Sequence, residues 1–419
     1  MTHHLEDRRD VDGSLCDLLD LGPDAISFRD EVRDWLARNV TDEARAIPAD
    51  RHRLSGHREA LRRWTDALRA AGYLCVAWPR EYGGRGLSGI EVALLNEEFA
   101  RAGVQRVTLG MGETLVGPSI IAHGTEEQKA RLLPRIVAGQ DRYCQGFSEP
   151  GAGSDLASLR TRGDVRGDEV VVNGQKVWTS WYKDATVLFC LCRTDPEVPQ
   201  HQGISYVLIP IERDGKPNGV EFRPLRQMTG QSDFAETFLT DARAPLDNVI
   251  GGLGGGWKVA MTTLGNERGG TATTRYVAFR DELLDLVAEC RRRGLVGDPL
   301  VRDRLAWAWS QVEVMRFMAL DLLASLAAGE APGTAGAGSV NKVFWSEYQQ
   351  RLGEIAVELL GPDGLLVGPD YRLDQWSQLF LTSRSHTIWG GTAQVQRNII
   401  GERLLGLPRE PRPPARSRS

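Results

Sequence analysis

Two short segments concentrate the side chains that could do chemistry: Gly146-Phe-Ser-Glu-Pro-Gly-Ala-Gly-Ser-Asp155 and, about twenty residues later, Asn173-Gly-Gln-Lys-Val-Trp-Thr-Ser180. The first is a glycine-rich turn with hydroxyls at Ser148 and Ser154; the second is a run of strand formers ending on Trp178, Thr179 and Ser180. Hydroxyl and indole donors on adjoining segments can stabilise negative charge that develops on a bound group. Taken alone, the same residues also read as a turn with a helix-cap serine and a core aromatic. Further on, Glu267 is followed by Arg268 in Leu-Gly-Asn-Glu-Arg-Gly-Gly. The plainer reading of that Glu is a partner for an Arg or for a helix N-terminus.

Other groups point away from chemistry. The six cysteines contain no metal-type CxxC pair, and no cluster has metal-ligand spacing, so no metal is expected. Cys190 and Cys192 alternate along a strand and read as core. His386 reads as a packed or surface histidine. The glycine cluster Gly251 to Trp257 has neither GxGxxG after a strand nor GxxxxGKS, which weakens a phosphate-cradle reading.

The elements that must position these residues change along the chain. From about 24 to 140 the apolar residues recur at three and four, as in FRDEVRDWLARNV, HREALRRWTDALRAAG and GIEVALLNEEFARAG, which predicts a helical domain. From about 146 the pattern becomes short β-forming runs, with Asn173-Gly174 and Asp214-Gly215 as turn signals between them. After the Gly251 to Trp257 cluster, helical periodicity runs from about 257 to 405 with one interruption, AAGEAPGTAGAGS. The expectation is an α+β chain: a tail over 1–22, an N-terminal helical domain over 23–143, a central β-barrel or sandwich over 144–252, a C-terminal four-helix bundle over 253–408 and a tail over 409–419. This order excludes a doubly wound nucleotide fold.

Composition bounds the function. The 419 residues, 41% hydrophobic, can bury a large core. A net charge of -5 without any basic run argues against nucleic acid. Acids near the N-terminus and the lack of an apolar stretch of about 18 residues predict a soluble, cytoplasmic protein with no membrane segment.

The two segments together resemble the flavin-contacting strands of the acyl-CoA dehydrogenase family, and the likeness extends through GYLCVAWPREYGGRGLS, HGTEEQKARLLPRIVAGQ, LLGPDGLL and HTIWGGTAQVQRNIIGERLLGLPR. The resemblance implies FAD as cofactor. It places the Ser148 and Ser180 hydroxyls on the isoalloxazine edge, Trp178 against the ring and Ser154 near the pyrophosphate and thioester groove, with Phe147, Gly153 and Thr179 in the same segments. A flavin that accepts a hydride needs such donors. It also brings Thr392 to Gln394 toward the flavin, and Gly361 of a neighbouring subunit to the adenosine end.

The sequence departs from the family pattern at the base. Most members carry a Glu before Gly-Thr in Tyr-Glu-Gly-Thr; here the run is Ile388-Trp-Gly-Gly-Thr392, so Gly390 stands where the carboxylate would. Members similar to isovaleryl-CoA and long-chain dehydrogenases carry the Glu on the first long helix of the C-terminal domain, directly before an Arg, which implies Glu267 as base. By the same resemblance the Gly390 backbone N–H still polarises the thioester carbonyl. A second departure is Glu358 where the family has Gln ahead of Leu-Gly-Gly, near the adenosine end of FAD.

The reaction implied is α,β-dehydrogenation of an acyl-CoA or acyl-carrier-protein thioester, with electron-transferring flavoprotein as acceptor. Gly in place of Glu enlarges the space beside the α-carbon and favours a branched, cyclic or bulky acyl group. The implied assembly is a homodimer or homotetramer; the altered adenosine site resembles that of heterotetramers formed with a paralogue. Two alternatives stay open: a flavin monooxygenase on the same fold, which needs no base, and a non-catalytic subunit of a heteromer.

Overall fold

The computed structural model describes residues 15–19, 21–48, 56–269, 273, 275–327 and 336–409. The chain divides into two compact units, residues 1–274 with 319–329, and residues 275–318 with 330–419.

The first unit opens with helices α1 (Leu15–Leu19), α2 (Pro23–Asn39), α3 (Asp42–Arg45), α4 (Arg58–Ala70), α5 (Gly89–Arg101), α6 (Gly117–His123) and α7 (Glu126–Val137). Local sequence sets their starts: Pro23 begins α2, and capping boxes formed by Ser88 with Glu91 and Thr125 with Gln128 begin α5 and α7. Their apolar faces bury Val32, Leu36, Leu68, Leu94 and Phe99 together, with Tyr73 edge-on to both Trp35 and Phe99. A π-helical turn, Gly112–Val116, leads into α6.

The middle of the chain supplies ten strands: β1 (Tyr143–Gly146), β2 (Arg162–Arg166), β3 (Glu169–Ser180), β4 (Val187–Arg193), β5 (Ile204–Pro210), β6 (Glu212–Arg213), β7 (Lys216–Pro217), β8 (Val220–Leu225), β9 (Phe234–Pro245) and β10 (Val249–Ile250). The main sheet runs β10-β5-β4-β2-β3-β9-β8, with β1 added in parallel to β4. Its path ends on β10 and β8, so it is an open sheet and not a closed barrel. Cys190 and Cys192 are both fully buried in its core, as their alternation predicts.

Asp214-Gly215 does turn the chain: both residues have positive φ and join β6 to β7. Asn173-Gly174 does not. Strand β3 continues through it and absorbs Gly174 as a register shift against β9, because the Asn173 side chain finds Asp241 there, donating to its carboxylate at 3.1 Å and accepting its N–H at 2.8 Å.

The chain then enters α8 (Gly256–Gly269). A β-carbon at Gly256 would overlap the Tyr206 backbone nitrogen, so glycine lets α8 start directly against β5. Val259, Ala260 and Thr263 of α8 are buried.

The second unit holds α9 (Arg275–Arg292), most of α10 (Pro299–Ala327), α11 (Gly336–Leu360), α12 (Gln375–His386) and α13 (Ala393–Ile399). Its core joins Leu283, Leu286, Val312, Met315, Leu352 and Ile355. Of the interruption expected at AAGEAPGTAGAGS, residues 328–335 lie outside the described residues, and Gly336 to Ser339 already belong to α11. The helices also break after α9, where Gly294 lies in the left-handed region, at Gly361-Pro362, which ends α11, and between α12 and α13. Among the described residues no helix is long and apolar enough to cross a membrane. The chain is thus α+β, with a helical N-terminal region, a central sheet and a helical C-terminal region.

Candidate active site

Strand β1 delivers the chain into the turn 147–155. Phe147 is buried edge-on to Phe189 and Tyr206, at 5.5 and 5.9 Å, so its ring serves the core. Its carbonyl accepts from Lys176 of β3 at 3.1 Å. The turn is fastened to β3 by a buried ion pair, Lys176 Nζ to Glu149 Oε1 at 2.8 Å, with Lys176 fully buried. The same carboxylate accepts the backbone N–H groups of Arg160 (2.7 Å) and Thr161 (2.8 Å), and Val177 N–H donates to the Ser148 carbonyl at 2.9 Å. Burial alone would raise the Glu149 carboxyl; Lys176 and these donors outweigh it and hold it below the usual carboxylate range.

Beyond Lys176 the register of β3 against β9 slips again, and Trp178 sits in the slip with φ 63°. A non-glycine residue there is strained, and the irregularity turns the indole outward. Trp178 is 59% exposed and meets Phe234 edge to face at 6.1 Å. Thr179 faces inward, fully buried, and accepts from Thr237 at 2.7 Å. Ser148 and Ser180 are half-buried, and Gly153 and Ser154 are exposed.

Helix α8 is tied to α6 by two side-chain bonds, Ser119 Oγ to Thr263 Oγ1 and His123 Nε2 to Thr262 Oγ1, each 2.7 Å. Burial and Lys258 hold the His123 imidazole below its ordinary pKa. The backbone of Glu267 lies in α8, one turn after Thr263; the side chains of Glu267 and Arg268 fall outside the described residues. In the same helix, Asn266 Nδ2 is buried without a hydrogen-bond partner among the described residues.

The second unit contains the Gly390 turn. Gly390 and Gly391 have φ of 66° and 90°. The fully buried Gln396 donates to the Gly390 carbonyl at 3.1 Å, and a β-carbon at Gly391 would collide with that amide. Thr392 caps α13 by accepting Val395 N–H at 3.1 Å, and Gln394 is exposed. On the α11 side, Gln350 donates to Thr387 Oγ1 at 2.9 Å and Lys342 donates to the His386 carbonyl. Lys342 also lies over the rings of Trp345 (5.2 Å) and Trp389 (5.5 Å), and Arg275 over Trp345 (4.3 Å). His386 packs between the two tryptophans at 5.3 and 5.4 Å. Burial, then Lys342, Arg275 and Arg384, push its pKa down to about 4, so the imidazole is neutral near pH 7. Glu358 is engaged by Arg304 at 2.9 Å, and Gly361 takes φ 59° at the end of α11.

The first unit therefore brings Ser148, Trp178 and Ser180 to the joined turn and strand, and the second brings Gly390 and Thr392 to one turn. The exposed indole in a bulge, beside half-buried hydroxyls, fits a flat heteroaromatic ring such as a flavin. Sequence reasoning missed three supports: the Glu149–Lys176 pair, Gln396, and the Trp345–Lys342–His386 packing. Only Gln396, two residues past Gln394 in the same motif, carried a signal.

Three family models match in order: the acyl-CoA dehydrogenase N-terminal domain over residues 22–140, the middle domain over 144–242 and the C-terminal domain over 254–405. The acyl-CoA dehydrogenase IpdE1 of Mycobacterium tuberculosis is 43% identical over 392 residues, 92% of this chain and 99% of its own length. Among solved structures, the Tcur3481-Tcur3483 steroid ACAD is similar with TM-score 0.76 and 31% identity over 93% of this chain and 99% of the other. The ChsE4-ChsE5 complex from Mycobacterium tuberculosis is similar with TM-score 0.73 and 31% identity over the same shares.

Proposed function

We propose a substrate class and a set of roles for a chain that belongs to the acyl-CoA dehydrogenase family. It is a flavoprotein oxidoreductase whose cofactor is FAD. The reading is α,β-dehydrogenation of a bulky, ring-bearing acyl-CoA, with Glu267 as the base.

One observation carries it: the turn at Gly390 holds no carboxylate at its tip and is built to present backbone, with Gln396 bound to the Gly390 carbonyl. A proton must still leave the α-carbon, and Glu267 is the acid carried by α8 at the place that the family's helix-borne bases occupy. The Gly390 N–H polarises the thioester carbonyl, which makes that proton acidic enough for a carboxylate. The Ser148 and Ser180 hydroxyls and the Trp178 indole hold the flavin ring. FAD, when bound, supplies the acceptor for the β-hydrogen that leaves as a hydride. Exclusion of a side chain at Gly390 widens the space beside the α-carbon, and the steroid designation of a solved relative supports a polycyclic acyl group.

A heteromeric assembly is favoured by Glu358, which pairs with Arg304 in place of the family's Gln, and by the likeness to the ChsE4-ChsE5 complex. Electron-transferring flavoprotein is the acceptor in this reading.

Anaerobic titration of the FAD-loaded protein, alone and with a co-expressed paralogue, against straight, branched and polycyclic acyl-CoAs tests the reading. Wild type bleaches best with the polycyclic substrate and Glu267→Gln does not bleach. Failure of every thioester in both preparations removes the proposal.

A further inference from the structure

Helix α8 carries Glu267 near its end and rests on the π-helical turn Gly112–Val116 and on α6. Its Val259 and Ala260 share one core with Leu115, Val116 and Ile120. Such contacts are non-directional, and an apolar face tolerates a slide or a small rotation. Two hydroxyls interrupt this face. Ser119 of α6 and Thr263 of α8 are both fully buried, and their oxygens meet at 2.7 Å.

The hydrogens of this pair are limiting. Ser119 Oγ also lies 2.7 Å from the Leu115 carbonyl, and Thr263 Oγ1 lies 3.1 Å from the Val259 carbonyl. Each hydroxyl has one hydrogen, so two hydrogens serve three contacts. The arrangement that uses both shorter contacts has Ser119 donating to Leu115 and Thr263 donating across to Ser119. Removing the Thr263 hydroxyl then leaves no buried hydrogen without an acceptor, because Ser119 keeps Leu115. The loss falls on the register of α8 rather than on folding.

A second bond stands one turn further along α6, where His123 Nε2 meets Thr262 Oγ1 at 2.7 Å. Thr262 and Thr263 lie about 100° apart around α8, so the two bonds grip the helix at two points of its circumference and fix rotation as well as translation. The surface they grip from is itself anchored. Trp78 Nε1 donates to the Glu113 carbonyl at 3.0 Å, and the Glu113 carboxylate accepts Leu109 N–H at 2.9 Å. A β-carbon at Gly117 would overlap the Trp78 ring, so glycine lets α6 begin against that indole.

We infer that Ser119 and Thr263 are positioning residues for the base: their hydroxyl pair sets the register of α8 on α6, and with it the place of Glu267. The Glu267 backbone follows Thr263 by one turn, about 6 Å along the same helix. A directional bond inside an apolar contact specifies register where packing alone does not. The inference rests on the reading of Glu267 as base, and both residues act through the helix. Placement matters there, since a shift of about 1 Å can lower a rate by about a hundredfold.

The test uses Thr263→Val, Ser119→Ala, their combination and the conservative Thr263→Ser, with Glu267→Gln alongside, in the FAD-loaded full chain prepared alone and with the co-expressed paralogue. Stopped flow follows flavin reduction by octanoyl-, isovaleryl- and cholanoyl-CoA, each also deuterated at the α- or the β-carbon. For the thioester that reduces the flavin fastest, Thr263→Val is expected to lower the limiting rate about fivefold, the size of one buried hydrogen bond, with half-saturation and FAD affinity within about twofold of wild type. The α-deuterium isotope effect grows relative to the β-deuterium effect, because proton removal is the step that has slowed. Thr263→Ser restores both, and the combined variant is no slower than the slower single one. An unchanged rate overturns the positioning role, as does a loss of rate, FAD affinity and melting temperature together that Thr263→Ser does not restore. Hydrogen exchange at the α8 amides reads the pair without turnover: protection falls in Thr263→Val and returns in Thr263→Ser, and protection that stays level overturns the inference. If Glu267→Gln reduces at the wild-type rate, or no thioester reduces the wild type, the base reading fails, and the exchange result still decides whether the hydroxyl pair holds α8.

Discussion

The Gln396 side chain donates to the Gly390 carbonyl at 3.1 Å from a fully buried position, fixing from behind the turn whose N–H is aimed at the thioester in the proposed reaction. Gln396→Met keeps volume and removes the donor. A hydrogen bond of this kind contributes about 1 kcal/mol, so kcat is expected to fall by roughly fivefold while bound FAD and KM change little. Stopped-flow flavin reduction measures it. An unchanged kcat would mean that the turn holds its shape without Gln396.

Gly390 also allows a sharper experiment, since a carboxylate can be put back at the family's commoner position. In Glu267→Gln, adding Gly390→Glu is expected to recover part of the bleaching, and more for straight-chain than for polycyclic acyl-CoAs. Recovery is partial because a non-glycine residue at φ 66° carries a penalty of about 1–2 kcal/mol. If the double variant prefers the polycyclic substrate, the space argument for Gly390 fails.

The buried Lys176–Glu149 pair joins the two segments that carry the flavin-facing residues. Lys176→Met leaves a buried carboxylate unpaired and should destabilise the first unit by about 3–5 kcal/mol, with loss of bound FAD. The Lys176→Met, Glu149→Leu pair should regain most of that stability, measured by urea denaturation. The Glu149 carboxyl lies below its ordinary pKa, so its contribution is present above the usual carboxylate range and is lost as pH falls through the folded-state value. A wild-type midpoint that stays level on acidification, with Glu149→Gln tracking it, would sink this account.

Much of this was legible in the sequence, and the misses share a cause. The helices were read from three-four spacing because α2, α4 and α5 each bury one stripe, and the Asp214-Gly215 turn because both residues need positive φ. Asn173-Gly174 failed as a turn because its structure is decided by Asp241, 68 residues away. Trp178 was picked out by motif, yet its exposure depends on a register slip between β3 and β9 that no local pattern records. Lys176 would ordinarily be placed on the surface; the Glu149 carboxylate and the Phe147 carbonyl, across the turn, permit its burial. The reading of Gly390 as a missing carboxylate needed only the motif, whereas the role of Gln396 needed the fold of the turn.

Glu282 on α9 accepts from Gln349 Nε2 at 2.6 Å, but burial dominates and, with Asp285 nearby, raises its pKa to about 7. The unfolded value is near 4.5, so between pH 4.5 and 7 the unfolded chain releases a proton that the folded chain keeps. Stability from this group therefore declines as pH rises through that window and levels off above 7, by about 3 kcal/mol at most. Glu282→Gln cannot ionise and retains the Gln349 contact through its carbonyl. The variant should match wild type near pH 4.5 and exceed it in melting temperature at pH 8, as read by calorimetry across the range. Equal melting temperatures at pH 8 would show that Glu282 ionises freely and that water or a partner subunit reaches it.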